Sequence, residues 1–237
     1  MAEREETLID HLEALRRMLL WCFGATALLF PLGYLVAPHV IDWLVAWSFP
    51  AGVGKLYYFA PMEVFIVQLK LALVLALVFA FPWNIWQLWR FLLPALYANE
   101  RRALSRWLIA ASVLFFAGIA FCIALILPLL MRFSTDFATA QLQPMLGLAN
   151  FLELAGWLML AFGVMFQAPI AVLLCVRFGV ITPASLKQKR PYVMTAILII
   201  AAILTPPDVV SQLMLAIPTW LLFELGLWIS QRMEKIQ

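Results

Sequence analysis

Four uncharged apolar runs constrain this chain more than any other feature, because each is long enough to cross a lipid bilayer as a helix. A hydrocarbon core of roughly 30 Å needs about 20 helical residues. The runs lie near residues 18–37, 71–89, 107–131 and 154–176. Two shorter apolar runs follow, at 191–207 and 209–223, and Asp208 is the only charge between them.

The composition agrees with a membrane protein. Apolar residues make up 65% of the 237 positions and charged residues only 12%, against about 45–50% and about 25% in soluble domains. The runs are apolar all round, whereas barrel strands alternate. We therefore predict an all-α integral membrane protein, a single domain over 1–237. The six transmembrane helices are expected near 18–37, 71–89, 107–131, 154–176, 191–205 and 209–230.

The basic residues predict the orientation of the helices. With six spans both termini face one side, and 13 of the 16 Lys and Arg residues then lie on that side. Basic residues are enriched in cytoplasmic loops, so both termini are expected in the cytoplasm. The net charge of +3 is a topology signal, since no soluble segment interleaves a basic cluster with aromatics as a nucleic-acid site would.

Residues 1–17 predict an amphipathic helix on the cytoplasmic surface. Leu8, Leu12, Leu15 and Leu19 recur at helical spacing, and such a helix lies in the membrane interface. On the opposite side, residues 38–69 and 132–150 are expected to form external caps. The first is rich in Trp and Tyr, as interfacial segments are. We interpret both caps as structural segments that cover the ends of helices.

The last two spans are short, and two interpretations stay open. Residues 193–204 make only about 18 Å of helix, so the pair is either a tilted, protein-buried hairpin or a place where the bilayer is thinned. A re-entrant hairpin is an alternative to two full spans. Asp208 in the turn can cap the next helix by accepting from the Ser211 amide.

Catalytic and metal-binding patterns are absent from the sequence. There is no H-E-x-x-H, C-x-x-C or G-x-S-x-G motif, and we expect neither an enzyme nor a cofactor. An ion-coupled secondary transporter is the main alternative. Such proteins carry ionisable residues at the midplane, but the four long runs contain no carboxylate.

Two carboxylates at the cytoplasmic rim are the candidates for binding. The helical neighbours of Glu100 at three and four residues' distance are uncharged, which leaves its carboxylate available to an outside cation. A solvated interfacial glutamate is the alternative. Glu13 has Arg16 and Arg17 at i+3 and i+4, so the residues alone favour a structural role for it.

Six motifs resemble the TatC family, the multispanning core of the twin-arginine translocase. They run in order along nearly the whole chain, and together they are specific. They are His11-Leu-Glu-Ala-Leu-Arg16, Pro94-Ala-Leu-Tyr97-x-x-Glu100-Arg-Arg, Ala161-Phe-Gly-Val-Met-Phe-x-x-Pro169, Lys189-Arg-Pro-Tyr192, Leu204-Thr-Pro-Pro-Asp208-Val-Val-Ser-Gln212 and Phe223-Glu-x-Gly226.

The resemblance implies a receptor in the bacterial inner membrane that binds signal peptides bearing paired arginines. It would export folded proteins with the proton-motive force and without a nucleotide. The implied partners are the single-span subunits TatA and TatB, with further copies of this chain in a larger complex. The implied fold is a cupped, concave wall of six helices with external caps.

The resemblance also assigns site residues. Glu100 would bind the signal-peptide arginines, and Glu13 would supply a second carboxylate. The site would be shaped by Arg16, Phe91, Pro94, Tyr97, Arg101 and Arg102. Gln167, Glu153, Asp208 and Gln212 are the expected polar contacts with partner helices.

The chain departs from the family pattern at two of these positions. Ala14 stands where the family has its amino-terminal glutamate, and Glu13 comes one residue early. A shift of one residue rotates a side chain by about 100° around a helix. Gln167 stands where the family often has a glutamate, and it keeps the hydrogen bonding without the burial cost of a charge.

Overall fold

The structure is a computed structural model, and it describes residues 8–49, 56–92, 101–136, 146–205 and 209–234. These residues form α-helices with one π-helical turn and an isolated β-bridge. The helices are α1 (Leu8–Ser48), α2 (Glu63–Leu92), α3 (Arg101–Phe121), α4 (Leu127–Asp136), α5 (Leu148–Met165), α6 (Ala168–Arg177), α7 (Pro183–Gln188), α8 (Arg190–Leu204) and α9 (Val209–Glu234). The π turn, Cys122–Ile126, joins α3 to α4.

The predicted all-α membrane fold is confirmed. Five helical stretches are long and apolar enough to cross a membrane: His11–Ser48, Glu63–Phe91, Trp107–Ser134, Leu148–Arg177 and Val209–Arg232. The remaining apolar helix, α8, has 15 residues and a length of about 22 Å, which is short of the bilayer core as expected. The count of six spans and the cytoplasmic position of both termini stay predictions.

The chain divides into two compact units, so the single-domain interpretation also stays a prediction. The first unit comprises Met1–Pro38 and Gln68–Ser112, and the second comprises His39–Val67 and Val113–Gln237. The first unit therefore holds most of α1 and α2 with the beginning of α3. The second unit holds the remaining helices and the connection between α1 and α2.

The helix that contains the first span is longer than the sequence predicts. It does not end at Ala37, and it continues through Pro38 as far as Ser48. Proline removes one intrahelical hydrogen bond, but Ile41 and Leu44 beyond it are buried, and this packing keeps the segment helical. Since α2 begins at Glu63, the connection is much shorter than the predicted cap over 38–69.

The π turn in the third span exposes a backbone acceptor that a tryptophan satisfies. The Leu127 N–H donates to the Cys122 carbonyl, five residues back, and Pro128 has no N–H to offer the next carbonyl. The Ile123 carbonyl instead accepts from the Trp47 indole Nε1, at 3.0 Å. An unpaired carbonyl in hydrocarbon costs several kcal/mol, so this bond fixes the end of α1 to the third span.

Small residues bring the helices of the second unit into close contact. A Cβ atom at Gly118 would lie 2.6 Å from the Phe162 carbonyl oxygen, and one at Gly226 would lie 2.8 Å from Pro169 Cα. Phe162 itself is fully buried. Helices in membranes associate through small residues that let backbones approach, and α3 with α5, and α6 with α9, follow this rule.

The two predicted external caps are joined to each other. The Tyr57 N–H donates to the Leu146 carbonyl at 3.0 Å, and the Leu148 N–H donates to the Tyr57 carbonyl at 2.8 Å. The Glu63 carboxylate accepts from the Phe59 N–H at 2.6 Å, from Ala60 at 3.1 Å and from Ala149 at 3.3 Å. One side chain thus holds the turn that leads into α2 and caps the amino-terminal end of α5, which supports the interpretation of both segments as covers over helix ends.

Replacing Trp47 by Phe should destabilise the protein because the Ile123 carbonyl loses its donor. We expect Trp47→Phe to lower the free energy of unfolding by about 1–3 kcal/mol more than Trp43→Phe, the cost of leaving a buried acceptor without a donor. Trp43 stacks on Trp47 with 6.2 Å between ring centroids and is the matched control. Unfolding in bicelles, followed by tryptophan fluorescence or circular dichroism, measures both.

The stability lost in Trp47→Phe should depend on whether Pro128 is present. The variant Pro128→Ala restores an N–H at that position and allows the turn to relax to α-helical register, in which the Leu127 N–H reaches the Ile123 carbonyl. Trp47→Phe should therefore cost less in the Pro128→Ala background. An equal cost in both backgrounds would show that the indole bond and the π turn are independent.

Glu63→Gln should loosen the joined caps, since a neutral amide oxygen is a weaker acceptor than a carboxylate. We expect faster hydrogen exchange at the Phe59 and Ala149 amides and little change in α9. Asp42→Asn removes another exposed carboxylate from the second unit and is the control. Unchanged exchange at both amides in Glu63→Gln would contradict the capping role.

Candidate functional site

The first unit contains a pocket between the amino-terminal part of α1 and the last turns of α2. Its volume is about 410 Å³. It is lined by Glu13, Ala14, Arg17, Met18, Trp21, Gln87, Arg90 and Phe91. Two segments separated by about 70 residues of sequence therefore meet at one pocket, and Glu13 and Phe91 are among the residues that line it.

Glu13 and Ala14 both line this pocket. Neighbouring residues on a helix point about 100° apart, but the pocket is wide enough to be bounded by both. Glu13 therefore reaches the same site as the position where the family pattern has its glutamate. Glu13 is exposed, so its carboxylate is accessible to a ligand.

Aromatic side chains contribute to the pocket lining and contact further rings beside it. The His11 ring lies 4.6 Å from the Phe91 ring, measured between centroids, and Trp21 contacts Trp83 edge-on at 6.5 Å. Gln87 is only 5% exposed. It is one of several lining residues, with Arg17, Met18, Trp21 and Arg90, that the sequence did not identify as part of the site. The sequence did contain a signal for Gln87, because a glutamine within an apolar span is rare unless it is hydrogen-bonded or binds a ligand.

Several predicted site residues lie outside the described ranges. Pro94, Tyr97 and Glu100 fall in the gap between α2 and α3, and Asp208 falls between α8 and α9. For Arg101 and Arg102 only the helical backbone at the start of α3 is described. Arg16 is exposed on α1 beside the pocket-lining Arg17. The contribution of Glu100 to the pocket stays a prediction.

Three of the four predicted intramembrane polar residues, Gln167, Glu153 and Gln212, lie in the part of the chain that the structure describes. Gln167 lies at the break between α5 and α6, where Pro169 interrupts the helix, and its Nε2 contacts the Gly163 carbonyl at 3.5 Å. Glu153 is exposed and precedes Gln167 by 14 residues, or about 21 Å of helix. Gln212 donates to the Leu198 carbonyl at 3.1 Å and so ties α9 to α8.

Arg190 and Glu224 form an ion pair that joins two of the family-like motifs. The Arg190 Nη2 donates to Glu224 Oε2 at 2.5 Å, and the side chains are 40% and 29% exposed. Arg190 is the first residue of α8, where the helix dipole disfavours a cation, and Glu224 offsets that cost. This pair was not predicted from the sequence, although Glu224 is a carboxylate within the apolar run of the last helix.

Metal coordination is not a feature of the described part of the chain. Across those residues no group of three His, Cys, Asp or Glu side chains lies close enough to hold one ion.

Glu224→Gln should destabilise the hairpin of α8 and α9 by leaving the Arg190 charge unpaired. Breaking a buried pair costs about 3–5 kcal/mol, and solvent access to both side chains lowers the expected loss to about 1–2 kcal/mol. The charge-swapped variant Arg190→Glu/Glu224→Arg should recover at least half of it. Free energies of unfolding in bicelles measure the effect. A swap no better than the sum of the single variants would contradict the pairing.

Comparison with known proteins places the chain among translocase components. Residues 10–218 match the family model described as Sec-independent protein translocase protein (TatC). The TatC protein of Haemophilus influenzae is 35% identical over 232 residues, which cover 97% of this chain and 90% of that protein. The TatC protein of Escherichia coli K12 is 34% identical with the same coverage.

Solved structures give the same result. The crystal structure of the twin-arginine translocase receptor TatC in DDM superimposes with a TM-score of 0.84 at 30% sequence identity. The match covers 93% of this chain and 99% of that one. A second crystal structure of the receptor matches with a TM-score of 0.83 at 31% identity.

Proposed function

This chain belongs to the TatC family, and we propose that it is the receptor for twin-arginine signal peptides at the core of a Sec-independent translocase. The observation that carries the proposal is the pocket in the first unit. It brings Glu13, Ala14 and Phe91 to one site. Glu13 and Ala14 belong to the first family-like motif, and Phe91 is a residue that the family resemblance assigns to signal-peptide binding.

The chemistry of the pocket suits a peptide that carries both cations and apolar residues. A carboxylate binds the planar guanidinium of arginine through two parallel hydrogen bonds. Charge-assisted bonds contribute roughly 1.5–3 kcal/mol each. We assign Glu13 and Glu100 as the anions, with Arg16, Pro94, Tyr97, Arg101 and Arg102 shaping the site around them. Met18, Trp21 and Phe91 provide apolar surface for the rest of the peptide.

Glu13 has a competitor within the chain, and this limits what it contributes. Arg17 lies four residues away on the same helix, the spacing at which a glutamate and an arginine attract each other. A signal-peptide arginine must share or displace that partner. Glu100 is therefore assigned the larger share of the binding.

The remaining properties of the proposed function follow the family. The protein would lie in the bacterial inner membrane with both termini in the cytoplasm, as one domain with a concave wall of six spans. It would assemble with TatA and TatB, and with further copies of itself, to export folded proteins with the proton-motive force. It would not be an enzyme. Partner helices would contact Glu153, Gln167, Asp208 and Gln212.

An ion-coupled transporter has no comparable support. The relatives and structures described above are translocase proteins, and no specific feature of the described residues favours solute transport.

Crosslinking of a twin-arginine signal peptide to the full chain in membrane vesicles tests the proposal. We expect a Lys-Lys peptide to bind at least tenfold more weakly, because lysine lacks the planar fork that matches a carboxylate. Glu100→Ala should reduce crosslinking more than Glu13→Ala does. Asp42→Ala, the loss of an exposed carboxylate in the second unit, is the matched control and should leave crosslinking unchanged.

The position next to Glu13 sharpens this test. Ala14→Glu adds a carboxylate to the pocket wall and should strengthen crosslinking of the Arg-Arg peptide. In a Glu13→Ala background it should restore what the first substitution removes. Equal crosslinking of Arg-Arg and Lys-Lys peptides to every variant would overturn the receptor assignment.

A further inference from the structure

The lining of this pocket holds charges of both signs. The residues that the structure describes there include one carboxylate, Glu13, and two guanidinium groups, Arg17 and Arg90. Glu100, the second carboxylate assigned to the site above, lies outside the described residues. A cation at a site that receives two arginines needs an explanation of its own.

Arg90 has no acidic neighbour at helical spacing. The residues three and four positions away in the sequence are Trp86, Gln87, Leu93 and Pro94, and none of them can form an ion pair with it. Arg90 lines the pocket and is exposed, so it can meet a ligand directly.

Arg90 lines the same pocket as Glu13, so its charge lies close to a peptide that binds there. The Debye length at physiological ionic strength is about 8 Å. The charge on Arg90 is thus only partly screened from a residue bound beside the arginine pair. Its influence should fall at high salt, because the Debye length is then only about 3 Å.

The position of Arg90 has an ordinary structural explanation as well. It lies in the last turn of α2, where a cation is favoured by the helix dipole. That explanation predicts an effect on stability but none on which peptide is bound. The two can therefore be separated by a measurement of preference.

We propose that Arg90 determines specificity in the signal-peptide site by reading the charge of the residues that flank the arginine pair. This inference rests on the proposed receptor function. Arg90 attracts an acidic flanking residue and repels a basic one, so the receptor prefers arginine pairs with acidic or neutral neighbours to longer basic clusters.

A set of Arg-Arg signal peptides that differ only in one flanking residue, Glu, Gln or Lys, tests the proposal. Binding of each fluorescent peptide to the full chain in membrane vesicles is measured at low and at high salt. For the unaltered protein we expect the affinity order Glu, Gln, Lys, with about fivefold between the extremes at low salt and a smaller difference at high salt.

Variants at position 90 should change that order in a charge-dependent way. Arg90→Lys should retain it, Arg90→Gln should abolish it, and Arg90→Glu should reverse it. Lys187 is another exposed cation in the last turn of a helix, α7, and Lys187→Gln and Lys187→Glu are the matched controls that should leave the order unchanged. Arg90→Gln keeps the test available if the charge reversal impairs folding.

The outcomes distinguish this inference from the function on which it rests. If the unaltered protein binds Arg-Arg and Lys-Lys peptides equally, the receptor function itself fails. If it prefers Arg-Arg but ranks the three flanking residues alike, or if Arg90→Gln keeps the ranking, the role of Arg90 fails alone. A uniform loss of affinity for all three peptides in Arg90→Gln would leave only the structural explanation.

Discussion

The need to satisfy backbone hydrogen bonds within hydrocarbon is the constraint on which the rest of this structure depends. Water is absent from the bilayer core, so each span must be a helix or must find a partner for every free N–H and C=O group. In the third span one backbone group cannot be satisfied by the helix itself. Its π turn and Pro128 leave the Ile123 carbonyl without a backbone donor, and the Trp47 indole supplies one.

The same constraint explains how the helices are held together. Lipid is as apolar as leucine, so burial of apolar side chains drives helix association much less than it does in water. The association of the helices is instead made specific by close backbone contacts at Gly118 and Gly226 and by polar contacts between helices. The short helix α8 is attached to α9 at two levels, through Arg190 with Glu224 and through Gln212 with the Leu198 carbonyl. A helix too short to span the core is thereby fixed by its neighbour.

The charged side chains of the proposed site lie near helix ends, at the start of α1 and at the end of α2. Glu13, Arg17 and Arg90 are all exposed, and they share the pocket lining with Trp21, Phe91 and the buried Gln87. Solvent makes such charges tolerable, while the apolar part of the lining lowers the local dielectric constant and strengthens their interaction with a ligand. An arginine pair followed by an apolar segment is the kind of peptide that this combination suits.

The sequence by itself determined the fold class and the family of this protein. Helical spans follow from the length and uniform apolarity of the runs, since hydrocarbon permits few backbone conformations, and the ordered motifs identify the family. Helix ends were less predictable. Packing of Ile41 and Leu44 extends α1 past Pro38 to Ser48, and such packing is invisible to hydropathy.

Only the tertiary structure decided which distant residues share a site. It placed Glu13 beside Ala14, Gln87 and Arg90 in one pocket, paired Arg190 with Glu224 and joined Glu63 to the start of α5. Each of these contacts depends on helix rotation and on the register between helices. Neither is encoded in local pattern, because lipid-facing and protein-facing residues in a membrane span are equally apolar.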